Sequence, residues 1–141
     1  MSTSGDVASE LRALVRLYAQ TIDGRTFNEL SSVFTEDARL DTGRAVRNGL
    51  DEICAAMEGL RRYESTEHRV GTITVDVEPQ MTTATGSVSC DAHHVGLIDG
   101  RRTDRVMRIE YHDRYRLTGA GWRIEARRLD LLGEDVVTLS D

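Results

Sequence analysis

The stretch Thr72-Ile73-Thr74-Val75-Asp76-Val77 decides the fold class, because it lies where the hydrophobic pattern of the chain changes. Its apolar and polar residues alternate with a period of two, which is typical of a half-buried β-strand, until Glu78-Pro79 ends the run. Upstream, apolar residues recur at helical spacing, and downstream the chain continues in β-like segments. Helices followed by hairpin-linked strands predict an α+β fold, in which the helices pack on one face of an antiparallel sheet.

Three helices are predicted upstream of this stretch. Apolar residues from Val7 onward follow one helical face, and Gly24 is a natural end for the first helix. The sequence Thr26-Phe27-Asn28-Glu29 matches a capping box and predicts a short second helix whose apolar stripe reaches Phe34. Residues 50–60 repeat the helical spacing and predict the third helix.

The other predicted elements are strands. A short strand is predicted at residues 38–41, before a turn at Thr42-Gly43. Three long strands are predicted at residues 82–98, 105–118 and 122–132. Turns at Asp99-Gly100 and at Gly119-Ala120-Gly121 separate them, as expected for hairpins.

Length and charge exclude several classes of function. A chain of 141 residues predicts one domain, residues 1–141, with a core large enough to enclose a small ligand. Its 18 basic and 24 acidic residues give a net charge of -6, which argues against a nonspecific nucleic-acid or anionic-membrane surface. The pairs Arg101-Arg102 and Arg127-Arg128 lack neighbouring basic runs and aromatic residues, so we interpret both as solvated.

The sequence also bears on location and on cysteine chemistry. No apolar run approaches the length of about 18 residues that spans a membrane, and the first residues lack the features of a signal peptide. We therefore expect a cytoplasmic protein that does not contact a membrane. Cys54 and Cys90 form no CxxC pair and fall on apolar stripes, so both are interpreted as small buried residues rather than catalytic thiols.

Asp113 interrupts an apolar row on the strand at residues 105–118. Alternation places it on the same face as Tyr111 and Tyr115. An isolated carboxyl group in such a row favours its neutral form, and a neutral acid can donate a hydrogen bond at an active site. The alternative is an aspartate that reaches water or pairs with an arginine.

Asp23 and the histidines are the other polar candidates. Asp23 falls in the last turn of the first helix, where the helix dipole disfavours a carboxylate, so either the local backbone or a histidine must compensate it. His68 lies at the start of the first long strand, and His94 is predicted to lie on the same strand face as the apolar residues Val88, Cys90 and Ala92. A histidine held by a carboxylate can act as a general base near neutral pH, whereas a lone inward histidine is a satisfied core residue.

No cofactor or metal signature is present in the sequence. The spacings of the histidines and cysteines match no zinc motif, and adjacent histidines on one strand point to opposite faces. The chain also lacks a glycine-rich phosphate loop, a nucleophile elbow and a dinucleotide fingerprint. We therefore expect no cofactor and no metal.

Three segments resemble SnoaL-like proteins of the nuclear-transport-factor-2-like superfamily. They are the run 17–25 (LYAQTIDGR) with residues 30–38, then the strand start 66–71 (TEHRVG), then 111–114 (YHDR) with 121–124 (GWRI). The resemblance covers nearly the whole chain in the expected order. It implies a cone-shaped α+β barrel, with three N-terminal helices packed on a strongly curved antiparallel sheet around a mostly apolar pocket.

The resemblance also implies site residues. In scytalone dehydratases and hexachlorocyclohexane dehydrochlorinases, an aspartate near the end of the first helix and a histidine at a strand start form a catalytic dyad, and Asp23 and His68 match these positions. A second pocket histidine of the dehydratases falls on His93 or His94, and the inward alternation of the strand favours His94. Ketosteroid isomerases imply an oxyanion site at Tyr18 and Asp113.

Two further positions complete the expected site. Thr42 stands where the isomerase base lies, and because threonine cannot serve as that base, Thr42 is kept only as a substrate contact. Tyr111 is expected to help Tyr18 and Asp113 stabilise an enolate or a leaving hydroxyl group.

Together these features predict a cofactor-independent lyase or isomerase, of dehydratase or cyclase type, that acts on a small, largely apolar carbonyl or polyketide-like substrate. His68 is the expected base, and Asp23 orients it. The alternative is a non-catalytic binding or structural subunit, as in the β-subunits of ring-hydroxylating dioxygenases. The resemblance further implies a homodimer or homotrimer.

Overall fold

The computed structural model describes residues 3–139, in which an N-terminal helical region packs on a six-stranded sheet. The α-helices are α1 (Ser4–Asp23) and α2 (Leu50–Glu58), and two 3-10 helices span Phe27–Ser32 and Gly59–Arg62. The strands are β1 (Phe34–Asp41), β2 (Val46–Asn48), β3 (Ser65–Val77), β4 (Thr83–Ile98), β5 (Arg101–Thr118) and β6 (Gly121–Thr138). The predicted α+β class and the order of helices before strands are confirmed.

Helix α1 follows the predicted pattern closely. The Thr3 side chain accepts a hydrogen bond from the Asp6 backbone, and Asp6 caps Thr3 in return, so a capping box fixes the start of the helix. One face of α1, which includes Leu11 and Ile22, is fully buried against the sheet. The helix ends before Gly24, as predicted. This end brings the side chain of Asp23 to the start of β3.

The predicted second helix differs from expectation. The Thr26 side chain makes no capping hydrogen bond, so the expected capping box is wrong, and the segment is a 3-10 helix. Its two buried residues, Phe27 and Leu30, are three positions apart, and this spacing places them on one face of a helix with three residues per turn. Phe34 belongs to β1 instead.

The sheet has the strand order β2-β1-β6-β5-β4-β3, is curved and does not close into a full barrel. All neighbouring strands are antiparallel except β1 and β6, which pair in parallel. The parallel pair departs from the purely antiparallel sheet that we expected. The 79 residues between the end of β1 and the start of β6 are ample for the crossover that a parallel pair needs.

Strands β5 and β6 are longer than predicted. β5 begins at Arg101, and β6 continues to Thr138, with Thr103 paired to Thr138. Alternation does not reveal this extension, because residues 101–104 are polar and residues 133–138 do not alternate between apolar and polar. Register shifts in β6 mark two β-bulges, which increase local curvature. None of the helices within residues 3–139 is long and apolar enough to span a membrane.

Candidate active site

Asp23 and His68 form a hydrogen-bonded pair where the end of α1 meets the start of β3. The Nδ1 atom of His68 lies 2.7 Å from Oδ1 of Asp23, and the backbone N–H of His68 donates to Oδ2 at 2.7 Å. The Thr66 hydroxyl donates to Oδ1 at 3.0 Å. The carboxylate at the helix end is thus compensated by a histidine, one of the two alternatives that the sequence left open.

The charge of Asp23 is favoured by these contacts. Burial raises the pKa of this carboxyl group, but the side-chain and backbone hydrogen bonds from His68, together with that from Thr66, lower it by more. The resulting pKa lies below the ordinary value of 3.8, so Asp23 is ionised near neutral pH.

An ionised Asp23 determines the tautomer of neutral His68. Because a carboxylate can only accept hydrogen bonds, Nδ1 of His68 must carry the proton. The unprotonated nitrogen of the neutral ring is therefore Nε2, and within residues 3–139 this atom has no hydrogen-bond partner. The side chain of His68 is only 7% exposed and lines a cavity, so Nε2 is available to a ligand.

The cavity that contains His68 has a volume of about 260 Å³ and lies between the helices and the inner face of the sheet. Its wall is mostly apolar and includes Met57, Leu60, Met107, Ile109, Leu129 and Leu131. Three larger depressions elsewhere on the surface do not contain His68. We place the candidate site in the smaller cavity, because an apolar pocket with a few convergent polar groups is the usual form of a small-molecule site.

Tyr18 and Tyr111 contribute phenol groups to the same cavity. The Tyr18 ring meets the His68 ring edge-on with centroids 6.2 Å apart, and the two tyrosine rings are 6.0 Å apart. Burial raises the pKa of both phenols, and for Tyr111 it raises the pKa well above 10.0. Both therefore keep their protons near neutral pH and can act as hydrogen-bond donors.

His94 lines the cavity beside His68, with ring centroids 6.1 Å apart. Its Nδ1 atom lies 3.1 Å from the carbonyl oxygen of Arg105, which fixes the proton on Nδ1 because a carbonyl can only accept. Burial lowers the pKa of His94, which favours the neutral ring. His94 thus offers an acceptor at Nε2 next to the candidate base.

Asp113 lies outside this cavity and corrects one expectation. Its carboxylate accepts hydrogen bonds from Nε and Nη2 of Arg127, both at 2.7 Å, and from the Tyr115 hydroxyl at 2.7 Å. Both oxygens are occupied, and neither Asp113 nor Arg127 lines the cavity of His68. The expected neutral, hydrogen-bond-donating acid is therefore wrong, and the alternative of an arginine partner is what the structure contains.

Arg127 is the residue that sequence reasoning missed. It was interpreted as solvated, yet its side chain is 1% exposed. Its guanidinium carbon lies 4.5 Å from the Tyr18 ring centroid and 4.0 Å from that of Tyr111, so it packs against both tyrosines. Burial opposes the charge of Arg127, but Asp113 more than compensates and raises the pKa of the guanidinium group.

The remaining predicted residues fall in several places. Thr42 lines the cavity, but its hydroxyl also takes part in the turn, where it donates to the Ala45 carbonyl and accepts from the Ala45 backbone. His93 points to the opposite face of the sheet and pairs with Asp104 at 2.7 Å.

Burial raises the pKa of the Cys90 thiol to about 11. Within residues 3–139, no group of three His, Cys, Asp or Glu side chains is arranged to hold a metal ion.

Comparison with known proteins supports the same kind of fold. Residues 6–128 match the sequence model of the SnoaL-like domain family. No curated protein sequence matches the chain at a significant level. Among solved structures, a protein from Kribbella flavida superposes with a TM-score of 0.86 at 19% identity, covering 94% of this chain and 95% of the other.

Two other similar structures have names that denote reactions. A candidate scytalone dehydratase from Novosphingobium aromaticivorans has a TM-score of 0.79 at 20% identity and covers 89% of this chain and 83% of its own. A type 2 hexachlorocyclohexane dehydrochlorinase has a TM-score of 0.78 at 16% identity and covers 97% and 94%. At these identities the similarity shows a shared fold and leaves the reaction to be argued from the site.

Proposed function

Because this chain belongs to the SnoaL-like domain family, we propose that it is a cofactor-independent lyase or isomerase that acts on a small, largely apolar carbonyl compound. The observation that carries the proposal is the hydrogen bond between Nδ1 of His68 and Asp23, which leaves Nε2 of the ring facing a mostly apolar cavity. An imidazole in this state is a general base suited to neutral pH.

The first step is removal of a proton next to the carbonyl group. His68 takes the proton on Nε2, and the electron pair of the broken C–H bond moves into the carbonyl group to form an enolate. Asp23 holds the ring in the required tautomer and stabilises the imidazolium that forms, without taking the proton itself. The low pKa of Asp23 supports this role, because the carboxylate must stay ionised throughout.

The second step needs hydrogen-bond donors for the enolate oxygen. Tyr18 and Tyr111 are protonated phenols on the cavity wall, and Arg127 packs against both rings and restricts their motion. The imidazolium of His68 then returns its proton to another carbon in an isomerisation, or to a departing hydroxyl group in a dehydration. Both outcomes use the same residues.

Elimination is the outcome that the similar structures favour. Their names, scytalone dehydratase and hexachlorocyclohexane dehydrochlorinase, denote loss of water or of hydrogen chloride. Each of these reactions removes a proton from one carbon and a leaving group from its neighbour. A single base in a mostly apolar cavity is sufficient to start such a reaction.

The test follows proton removal directly and does not require the natural substrate. A panel of small ketones that includes 2-tetralone is incubated in D₂O with the protein, and exchange of the α-protons is followed by ¹H NMR. We expect exchange with the native protein and none above background with His68→Gln or Asp23→Asn. Exchange retained in both variants would contradict the proposal.

The chain provides a matched control for these variants. His93 and Asp104 form a second histidine–aspartate pair at 2.7 Å, but His93 does not line the cavity. The His93→Gln variant should therefore exchange the same ketones at the native rate. A native protein that exchanges none of the panel would shift the assignment to a binding subunit.

A further inference from the structure

Three arginines, Arg44, Arg62 and Arg105, line the cavity that contains His68. No aspartate or glutamate among the described residues lines it. The whole chain has a net charge of -6, so a wall with three cations and no carboxylate differs sharply from the rest of the molecule. This local excess of positive charge requires its own explanation.

Packed rings connect the arginines to the candidate base along one wall of the cavity. Arg105 holds His94 through its backbone carbonyl, at 3.1 Å from Nδ1. The guanidinium carbon of Arg62 lies 4.8 Å from the Tyr63 ring centroid, and the Tyr63 ring lies 5.0 Å from that of His94. His94 in turn lies beside His68. The arginines and the base therefore line one continuous cavity.

The three guanidinium groups differ in how their charges are balanced. Arg105 forms an ion pair with Glu134. Arg62 donates only to neutral acceptors, the Gly59 carbonyl at 3.2 Å and the Tyr63 hydroxyl at 3.3 Å. Arg44, on the turn between β1 and β2, makes no hydrogen bond or ion pair within residues 3–139, although its charge helps to lower the pKa of Glu134. Two charges at this site thus lack a bonded carboxylate.

We propose that the ligand of this cavity carries an anionic group, of the carboxylate type, bound by Arg44 and Arg62. This inference rests on the proposed function and narrows its substrate class to an anionic carbonyl compound. Both arginines are exposed while still lining the cavity, so the anion lies at the entrance. The apolar body of the ligand then extends inward to His68.

The physical reasons for this arrangement are specific. A guanidinium group presents paired N–H donors that match the two oxygens of a carboxylate. A negatively charged protein repels anions overall, and a local cluster of cations at a cavity entrance reverses this effect for a ligand that approaches it. An anion held at the entrance also fixes the depth at which the rest of the ligand lies.

The test compares two ligands of the same shape and different charge. The dissociation constants of 2-naphthoate and 2-naphthamide are measured by isothermal titration calorimetry with the native protein and with an Arg44→Gln/Arg62→Gln double variant. Because hydrogen bonds between two charged groups are strong, we expect the native protein to bind 2-naphthoate about tenfold more tightly than 2-naphthamide. We expect the double variant to lose this preference.

Arg47→Gln is the matched control, because Arg47 is exposed, lies on the neighbouring strand β2 and does not line the cavity. It removes the same type of charge and should keep the preference. The proposal is overturned by equal affinities in the native protein, by no binding of 2-naphthoate at millimolar concentration, by a preference that survives in the double variant, or by its equal loss in Arg47→Gln.

The His68→Gln variant separates the test of the anion site from the test of the proposed proton transfer. His68→Gln should keep the preference for 2-naphthoate, since the base does not bind the anion. A preference that persists while ketone exchange is absent from the native protein would keep the anion site and reject the proton-transfer role. Loss of the preference with exchange intact would reject the anion site alone.

Discussion

Thr66 donates a hydrogen bond of 3.0 Å to the carboxylate of Asp23, the same group that holds His68. Thr66 and His68 are two positions apart on β3, so their side chains lie on the same face of the strand. The first residues of β3 therefore supply both the candidate base, His68, and a second hydrogen-bond donor to Asp23, Thr66. This local geometry requires only that the end of α1 meets the start of β3.

The Thr66→Val variant should weaken this support while keeping the shape of the side chain. With one hydrogen bond to the carboxylate removed, the pKa of Asp23 should rise toward its ordinary value. We expect kcat/KM for ketone exchange to fall roughly three- to tenfold, which corresponds to the loss of one such bond. A ¹³C NMR titration of the Asp23 carboxyl carbon measures the pKa directly.

Thr66→Ser is the control for this variant, because it restores the hydroxyl donor. It should recover most of the activity and return the pKa of Asp23 toward the native value. If Thr66→Val left both the pKa of Asp23 and the exchange rate unchanged, Thr66 would have no positioning role.

Asp23 should also make stability depend on pH in a defined direction. Its pKa is lower in the folded state than the ordinary value of 3.8, so ionised Asp23 stabilises the folded state. The stabilisation is fully present above the pKa of the unfolded state and is lost as the pH falls through the lower pKa of the folded state. Urea unfolding of native protein and Asp23→Asn measures the difference at each pH.

We expect the native protein to be the more stable of the two at pH 7, by roughly 2 kcal/mol, the typical value for hydrogen bonds to a charged group. The difference should shrink below about pH 4, where the carboxyl group of the unfolded chain is protonated. A difference that grew in acid would have the opposite sign and would show that burial of Asp23 outweighs its hydrogen bonds.

Cys90 should be unreactive in the folded protein. Burial raises the pKa of its thiol to about 11, so the thiolate that reacts with electrophiles is scarce at neutral pH. We expect Cys90 to be labelled by iodoacetamide only after unfolding in urea, with mass spectrometry of peptides as the measurement. Fast labelling of Cys90 in the folded state would contradict this and would reopen the question of a catalytic thiol.

The sequence was sufficient for the fold class and for the contact between Asp23 and His68. Helical spacing in α1, alternation in β3 and hairpin turns predicted the order of elements, because burial of apolar side chains dominates each of these segments. The resemblance to SnoaL-like proteins then placed Asp23 and His68 together, and the structure brings them into contact. The catalytic role of the pair stays a prediction.

Arg127 could not be predicted, and the reason is local geometry. Tyr115 pairs with Ile124, whereas Arg114 pairs with Ala126, so Glu125 is an extra residue in β6. One inserted residue inverts the alternation of a strand, because successive side chains point to opposite faces. Arg127, assigned to the outer face by simple alternation, therefore points inward. A bulge of this kind leaves no clear signal in a single sequence.

Removing one member of the buried ion pair between Asp113 and Arg127 should destabilise the protein more than replacing both with apolar residues. Asp113→Leu leaves the Arg127 charge buried without its carboxylate, and Arg127→Met leaves Asp113, whose side chain is 0% exposed, with only the Tyr115 hydroxyl as a donor. Each single change should lower the free energy of unfolding by roughly 3–5 kcal/mol. The double variant Asp113→Leu/Arg127→Met removes both charges and should be more stable than either single variant.

Urea denaturation of the four proteins gives the coupling energy between the two positions. The exposed pair Glu67–Arg69, joined at 2.9 Å, is the control, and its coupling should be too small to resolve because solvent screens it. Near-additive effects at Asp113 and Arg127 would mean that each side chain stabilises the core by itself. Strong coupling would instead establish that the pair acts as a unit.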